Sequence, residues 1–408
     1  MNFIEKHCKT PPFFLLFCYD SNNYIGLRYF YRMGAYIVSF SVKGNEQLTS
    51  LLNDWYRSML SQQVIKATNL KKKIDEKINK LSIEPNQERQ DQNLLLYYSL
   101  LEFRYTVLTD SLGIQQNSFD AISDYDMPTD HFLRFYYHFF KSIHSTFISS
   151  FTEAEEHYKL AEKILVNIPD EIEHAEFYYR IATFYHHTYN MLASIEYANK
   201  SRAIFSKYEG YEVKTAFCNS LLGGCCIYLK QYEQAEEYLH YAIELLQQNK
   251  EEDSLLFVKS TLGWLYSDQS MSTLAIRHLS EVTEKIPTHF KAIFLQAKEH
   301  YKLGEQSAAS KLIDKGLQIC RGIHNEEYTH HFSILKRLNE NIPLEELEKI
   351  IQEGILYFEQ EELWEYVVEY TEIFAAKCRQ LENHQKVSDY FHICYQARRK
   401  SIEKGVLK

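Results

Sequence analysis

The chain has 408 residues, of which 45 % are apolar and 25 % are charged, and its formal net charge is −10. It holds 32 Tyr and 25 Phe against 13 Gly and 7 Pro, too few turn-forming residues for a many-stranded sandwich or barrel. The negative charge and the lack of a long basic tract argue against nucleic acid as a partner. No apolar run reaches the ~18 residues that a membrane-spanning helix needs, so no membrane partner is expected.

The cysteines and histidines carry no recognisable metal or disulfide pattern. None of the eight cysteines has CxxC spacing, which predicts buried thiols in a reduced, cytoplasmic protein. The 17 histidines include the adjacent pairs His186–His187 and His330–His331, whose side chains diverge on a helix. No pair is spaced as Zn²⁺ ligands on a helix are, so the predicted metal content is none.

The first 44 residues differ from the rest of the chain. They are rich in aromatic residues, lack helical periodicity and contain a short apolar run that ends at Asp20. This run lacks the cleavage pattern of a secretory signal. Two interpretations stay open, a short ordered appendage or translation that begins at Met33, and we favour the second. Residues 1–44 are therefore predicted to be an atypical extension.

Helical signals begin near Glu46. Apolar residues at spacings of three and four predict one helix up to about residue 59 and a second over about 61–81. A polar connector with Pro85 follows, and a third, largely apolar helix is predicted over about 91–110. We expect a three-helix bundle over residues 45–112 and a linker over 113–130.

From about residue 130 the sequence repeats itself. A small residue opens the second helix of each unit, and the steps between these residues are 39, 42, 40 and 34 residues, close to the ~34-residue period of tetratricopeptide repeats. Small residues suit the points where paired helices cross closely. The predicted fold is all-α, with the bundle followed over residues 131–408 by a right-handed superhelix of about seven helical hairpins. The small residues are Ala154, Ala193, Ala235, Ala275 and Ala309.

Five segments carry a family resemblance. They are 53–56 (NDWY), 91–104 (DQNLLLYYSLLEFR), 135–141 (FYYHFFK), 172–177 (IEHAEF) and 395–400 (YQARRK). In this order they resemble motifs of the Rap proteins of bacilli over residues 45–408. The resemblance implies a three-helix bundle, a flexible linker and a peptide-binding tetratricopeptide domain.

The same resemblance implies a function in sporulation, competence and quorum sensing. Some Rap proteins are hydrolases that remove phosphate from an aspartate of a response regulator of the sporulation phosphorelay. Others sequester the DNA-binding domain of a transcriptional response regulator, and short Phr signalling peptides switch Rap proteins off. The expected partners are thus a response regulator and a short peptide. The alternative is a protein without enzymatic activity that sequesters a regulator or only receives a peptide.

By resemblance, Gln92 is the catalytic residue of a phosphatase. An amide can orient an attacking water without repelling the phosphate, as a carboxylate would. No cofactor of its own is implied, because the response regulator supplies Mg²⁺. Without the resemblance, Gln92 is an ordinary residue of a first helical turn. Leu100 and Phe103 are candidate docking residues or core residues, and Asp91 either docks the partner or caps the helix.

The resemblance also locates a peptide site on the inner helices. Tyr228 stands where relatives often have an acidic residue, and Thr261 where a peptide-holding Asn is usual. Neither replacement makes the same bonds, so either the cognate peptide is unusual or this protein is insensitive to peptides. Tyr185, Asn219 and Tyr301 are further candidates for the concave face, with core packing as the alternative.

Overall fold

The computed structural model describes residues 45–83 and 92–405. Three helices form the N-terminal part of this range: α1 (Glu46–Leu60), α2 (Val64–Ile83) and α3 (Gln92–Thr109). Helix α2 begins at Val64, about three residues later than the predicted start at residue 61. The delay arises because Gln62, in the turn after α1, has a left-handed φ of 59° that a helix cannot contain. The extension 1–44 and most of the polar connector lie outside the described residues.

The segment predicted as a linker contains short ordered elements. Two 3-10 turns, Ser111–Gly113 and Gln116–Phe119, are followed by the single-turn helix α4 (Asp120–Ser123). Phe119 of this segment is 1 % exposed and its ring meets that of Phe103 edge-on, with centroids 5.2 Å apart. The segment therefore packs against α3, while the domain boundaries at 112 and 130 stay predictions.

Fourteen further helices follow in the described part of the chain, and they pair in sequence order as seven hairpins. The hairpins are α5 (His131–Phe147) with α6 (Phe151–Leu165), α7 (Glu171–His187) with α8 (Met191–Phe205), α9 (Glu212–Tyr228) with α10 (Tyr232–Gln248), α11 (Glu252–Asp268) with α12 (Ser272–Lys285), α13 (Phe290–Lys302) with α14 (Gln306–Gly322), α15 (Glu326–Glu340) with α16 (Leu344–Gln360), and α17 (Trp364–Gln380) with α18 (His384–Gly405). The predicted all-α fold with about seven hairpins is confirmed.

The small residues that revealed the repeat lie where the two helices of a hairpin cross. All five alanines stand at the third or fourth position of an even-numbered helix from α6 to α14, and each is at most 3 % exposed. Each odd-numbered helix from α5 to α13 also contacts the next odd-numbered helix. The odd-numbered helices thus form the inner layer of the array, as the repeat pattern predicts.

Non-glycine residues in left-handed conformation connect the helices of most hairpins. Ser270 is one of them: it has φ 60° and lies between α11 and α12, where the N–H of Met271 donates to the carbonyl of Tyr266 at 2.8 Å. This bond closes the end of α11 as a Schellman-type cap. Gly304 is the residue with this role between α13 and α14, with φ 74°. A side chain in this conformation costs roughly 1–2 kcal/mol.

No described helix has the length and apolar character that crossing a membrane requires.

All six cysteines within the described ranges are unpaired and buried, as expected for thiols that pack as small apolar groups.

We expect Ser270→Gly to stabilise the protein. Relief of the left-handed strain outweighs the greater freedom of glycine in the unfolded chain, so the free energy of unfolding should rise by about 0.5–1 kcal/mol. Urea unfolding followed by circular dichroism measures this change. Ser206→Gly is the matched control, because Ser206 follows α8 with a right-handed φ of −66° and should gain nothing. Equal shifts in both variants would contradict the argument.

Candidate functional site

The bundle and the array meet at a buried carboxyl group. Glu173 of α7 accepts hydrogen bonds from the hydroxyls of Tyr56 in α1 and Tyr136 in α5, each at 2.9 Å. All three side chains are at most 6 % exposed, and the rings of Tyr56 and Tyr136 meet edge-on at 5.3 Å. Three of the segments that carry the family resemblance therefore come together here: 53–56, 135–141 and 172–177.

Burial raises the pKa of Glu173 to about 8, and the negative charge of Asp170 adds to the shift. The hydrogen bonds from Tyr56 and Tyr136 act in the opposite direction but do not restore the ordinary value. Glu173 is thus mainly protonated at neutral pH, because burial away from water makes its ionised form unfavourable.

One turn further along α7, a second buried carboxylate holds three cations. Oε1 of Glu176 accepts from Arg104 at 2.7 Å and from Arg180 at 2.9 Å, and Oε2 accepts from Lys214 at 2.6 Å. The side chains of Arg104 and Glu176 are fully buried, and that of Lys214 is 1 % exposed. Arg104 belongs to α3, so this cluster ties the bundle to α7 and α9. We call Glu176, Arg104, Arg180 and Lys214 the Glu176 cluster.

The Glu176 cluster carries an excess of positive charge. Burial alone would raise the pKa of Glu176, but the charges of Lys214, Arg104 and Arg180 hold it well below its usual range. Burial, aided by the two neighbouring guanidinium groups, lowers the pKa of Lys214 to about 7 despite the attraction of Glu176. One carboxylate therefore faces three groups that are cationic below neutral pH.

An inner cavity of about 450 Å³ adjoins this cluster. The inner helices α5, α7, α9, α11 and α13 line it together with the end of α3, the residues just after it and the loop before α15. Its wall includes the cations of the Glu176 cluster and several aromatic rings. These rings belong to Tyr158, Tyr179, Phe217, Phe257, Trp264 and Phe290.

The opposite end of the inner cavity holds Glu327 of α15. Its Oε2 accepts from Ser149 at 2.8 Å and contacts Nε2 of His187 at 3.2 Å. Burial alone would raise its pKa, but His187, His331 and Lys291 keep the pKa of this carboxyl well below its usual range. Lys291 lies in the cavity wall with an exposed side chain, and its Nζ is 5.5 Å from the ring centroid of Tyr328.

The residues predicted for the bundle lie in different environments. Gln92 is the first residue of α3 and is exposed. Asp91 lies outside the described residues. Leu100 is fully buried and Phe103 is 4 % exposed, so both pack in the core and neither faces solvent in this arrangement. Of the two interpretations that the sequence left open, burial favours core packing, and docking at these positions stays a prediction.

Of the five residues predicted to bind a peptide, Thr261 lines the inner cavity. Asn219 is 2 % exposed and bonds to Arg202 and to the carbonyl of Thr215, so it serves the packing of α8 on α9. Tyr185 stacks on Tyr197 on the side of α7 that faces α8. Tyr228 packs against the ring of Tyr189, and Tyr301 packs in the core. Side chains on one helix face different neighbouring helices, and the repeat spacing in the sequence does not distinguish those that face the cavity from those that face the core.

Several residues that define this site were missed from the sequence. Lys214, Lys291 and Glu327 are charged residues on the inner helices α9, α13 and α15. Their position in the first turns of odd-numbered helices was a usable signal once the repeat had been aligned. Within the described ranges, no group of three or more His, Cys, Asp or Glu side chains is arranged to hold a metal ion.

These features define a class of protein: a helical-repeat protein with a bundle packed on its first hairpins and a partly open cavity on its inner face. Residues 42–110 match the family described as response regulator aspartate phosphatase H, N terminal. Response regulator aspartate phosphatase I of Bacillus subtilis (strain 168) is 26 % identical over 370 residues, which cover 88 % of this chain and 92 % of the relative. Regulatory protein RapF of the same organism is 26 % identical over 360 residues, or 83 % and 91 % of the two chains.

Solved structures show the same fold. A Rap protein complexed with Competence and Sporulation Factor aligns with a TM-score of 0.74 at 23 % identity, covering 88 % of this chain and 99 % of that one. Aspartyl phosphate phosphatase F from Bacillus subtilis aligns with a TM-score of 0.54 at 25 % identity, covering 92 % and 98 %. The chain is therefore similar in sequence and fold to Rap proteins over most of its length.

We expect Glu176→Gln to destabilise the folded protein strongly. The substitution leaves the buried Arg104 and Lys214 and the partly buried Arg180 without their anion, and loss of one partner of a buried pair typically costs about 3–5 kcal/mol. Urea unfolding measures the loss. Glu372→Gln is the control, because Glu372 pairs with Arg398 at the surface and an exposed pair contributes about 1 kcal/mol or less. Similar losses in the two variants would show that the Glu176 cluster does not hold the bundle.

We expect Glu173 to make folding stability fall as the pH rises from 5 to 8. Its folded pKa of about 8 lies above its ordinary value of 4.5, so the folded state retains a proton that the unfolded chain releases. The stability is complete below about pH 4.5 and is lost as pH rises through the folded pKa, with a slope of roughly 1 kcal/mol per pH unit.

Glu173→Gln tests this pH dependence, because a neutral amide keeps an acceptor for the tyrosines and does not titrate. The unfolding free energy of the natural protein should fall relative to that of this variant as the pH rises from 5 to 8. Subtraction removes the contributions of histidines and other groups common to both. A difference that stays constant over this interval would contradict the raised pKa.

Proposed function

We propose that this protein is a Rap-type aspartate phosphatase that acts in the cytoplasm on a response regulator of a sporulation phosphorelay. The observation that carries the proposal is the exposed amide of Gln92 at the first turn of α3, within the stretch that matches the phosphatase family. A side chain at the exposed start of a helix can reach into the active site of another protein.

In the proposed reaction, the amide of Gln92 orients a water in line with the scissile P–O bond. Its carbonyl accepts a hydrogen bond from the water, and its NH₂ donates toward a phosphoryl oxygen. The water oxygen bonds to phosphorus as the bond to the aspartyl oxygen breaks, which yields inorganic phosphate, a free carboxylate and a proton. The response regulator supplies the acidic pocket and Mg²⁺, so this chain contributes one amide and the surface that positions it.

The proposed docking surface differs from the predicted one. Because Leu100 and Phe103 are buried, they can contact a response regulator only if α3 leaves its packing against α5 and the segment around Phe119. In the arrangement described here, exposed residues of the first turn of α3 are the ones that reach a partner. Gln92 and Asn93 are both exposed there.

We also propose that a short signalling peptide regulates the protein from the inner cavity. Support comes from the family, in which one solved Rap protein is complexed with Competence and Sporulation Factor and another with the Phr* peptide. The inner cavity of about 450 Å³ lies within the size range of ligand-binding pockets, and Thr261 is in its wall.

The test of the phosphatase proposal is Gln92→Ala. Purified protein is mixed with response regulators that carry a labelled aspartyl phosphate, and the rate of label loss is followed. The natural protein should accelerate the loss, and Gln92→Ala should reduce the acceleration by about 100-fold while complex formation persists, in line with the effect of removing one positioned group.

Gln306→Ala is the matched control. Gln306 is also an exposed glutamine and also the first residue of a helix, α14, but it lies far along the chain from the bundle. The Gln306→Ala variant should accelerate the loss of label as much as the natural protein does. If no regulator loses phosphate faster with the natural protein than alone, the phosphatase proposal fails.

A second candidate function is sequestration of a transcriptional response regulator without catalysis. It is kept because a protein named Regulatory protein RapF is as similar to this chain as the phosphatase relative is, at 26 % identity. The same mixtures discriminate the two functions. A sequestering protein would bind a regulator and block its binding to promoter DNA, and neither effect would change in Gln92→Ala.

A further inference from the structure

The inner cavity is electropositive although the whole chain has a net charge of −10. Within residues 45–83 and 92–405, its wall contains four Arg and Lys side chains and one carboxylate, Glu327. A second carboxylate, Glu176, lies behind the wall and bonds to three of those cations. With histidines neutral, the formal charge of this region is +2 below neutral pH, from four cations and two anions, and it falls to +1 when Lys214, whose pKa is about 7, loses its proton. The four cations are Arg104, Arg180, Lys214 and Lys291.

Arg104 has donors that the protein itself leaves unused. Its side chain is fully buried, and within the described residues its Nη2 bonds to Glu176 while Nε and Nη1 have no hydrogen-bond partner. A guanidinium group has five N–H donors in a planar fork, which suits a carboxylate. Arg104 belongs to the cavity wall but is fully buried, so its unused edge adds positive charge beside the cavity and can meet a ligand only after side chains of the wall move.

Lys291 adds a cation at the other side of the same space. Its side chain is exposed to the cavity, yet protein surrounds it closely enough that burial lowers its pKa, with Glu327 opposing the shift. No hydrogen bond or ion pair to its Nζ is found within the described ranges. Glu327, in contrast, already bonds to Ser149 and contacts His187. Arg104, Arg180 and Lys214 thus share the carboxylate of Glu176, whereas Lys291 is an exposed cation of the wall without an ion pair in the described part of the chain.

We propose that the inner cavity binds a short peptide through a carboxylate, so that the cognate ligand of this protein is an acidic rather than a basic peptide. The inference rests on the proposed regulation by a peptide and specifies its chemistry. The carboxylate binds Lys291, an exposed cation of the wall, while the buried Arg104 and Lys214 add positive charge beside the cavity. Apolar residues of the peptide lie on the aromatic part of the wall around Phe257 and Trp264. A peptide with Lys or Arg would bring a fifth cation into a region that is already positive.

The carboxylate has two possible sources, an Asp or Glu side chain and the peptide C-terminus. Four pools of pentapeptides separate them, each with neutral, non-fluorescent residues at the variable positions. Three pools have blocked termini and carry Glu, Gln or Lys at the third position. The fourth carries Gln and a free C-terminal carboxylate. Binding is followed through the fluorescence of Trp264 in the cavity wall, with Trp264→Phe as background, and through the shift in melting temperature.

We expect the Glu pool, the free-carboxylate pool or both to bind at least ten-fold more tightly than the blocked Gln pool, and the Lys pool to bind most weakly. Lys291→Gln should reduce that preference by about ten-fold, because a hydrogen bond to a charged group contributes this much or more to affinity. Lys291 makes no hydrogen bond or ion pair within the described residues, but its Nζ lies over the ring of Tyr328 and attracts Glu327. The melting temperature of the unliganded variant is therefore measured first, and the preference is compared at a temperature where both proteins are folded. Lys311→Gln removes an equal charge from an exposed site on α14 and should keep the preference.

Two results would overturn the inference: binding of the Lys pool as tight as that of the acidic pools, or no binding by any pool. A preference that Lys291→Gln leaves intact would likewise place the acidic site elsewhere. The outcome is independent of the phosphatase assay. If the proposed catalysis fails, label loss stays slow while the peptide preference persists; if the present inference fails, the preference is absent while dephosphorylation proceeds.

Discussion

The contact between Arg104 and Glu176 connects the two parts of this molecule. Arg104 comes from the last turns of α3 in the bundle, Glu176 from the first inner helix beyond the first hairpin, and both side chains are fully buried. A buried cation is tolerated only where an anion and hydrogen bonds replace its hydration, so the position of α3 on the array is specified by this pair. The end of α3 therefore forms part of the wall of the inner cavity, and bundle and receptor surface cannot be considered separately.

The motifs that carry the family resemblance have a common structural purpose. Tyr56, Tyr136 and Glu173 come from three separate motifs and meet in one hydrogen-bonded group. Arg104 is the last residue of a fourth motif, and it forms the neighbouring ion pair with Glu176, which lies in the same motif as Glu173. As linear patterns these residues resembled aromatic core positions or helix-surface charges. Their spacing in the sequence contains no sign that they touch, because 117 residues separate Tyr56 from Glu173.

The packing that brings Arg104 to Glu176 also decides which residues of α3 are exposed and which line the inner cavity. Packing of α3 against α5 and the 116–123 segment encloses Leu100 and Phe103 and leaves Gln92 exposed at the other end of the same helix. The same packing brings Arg104 to the cations of α7 and α9, where the single carboxylate of Glu176 cannot neutralise all of them. A catalytic candidate and an electropositive receptor cavity thus lie at opposite ends of one helix.

The sequence by itself determined the all-α fold, the seven hairpins, the approximate bounds of α1 to α3 and the resemblance to Rap proteins. These properties depend on local periodicity, on small residues at helix crossings such as Ala235, and on contiguous motifs, all of which are visible in a linear chain. Only the tertiary structure decided that Leu100 and Phe103 are core residues, that Thr261 alone of the five predicted peptide-binding residues lines the cavity, and that Lys214 and Lys291 face inward. Burial and charge compensation depend on which distant helices pack together, and in a superhelix that is set by the small rotations between hairpins rather than by any residue pattern within one of them.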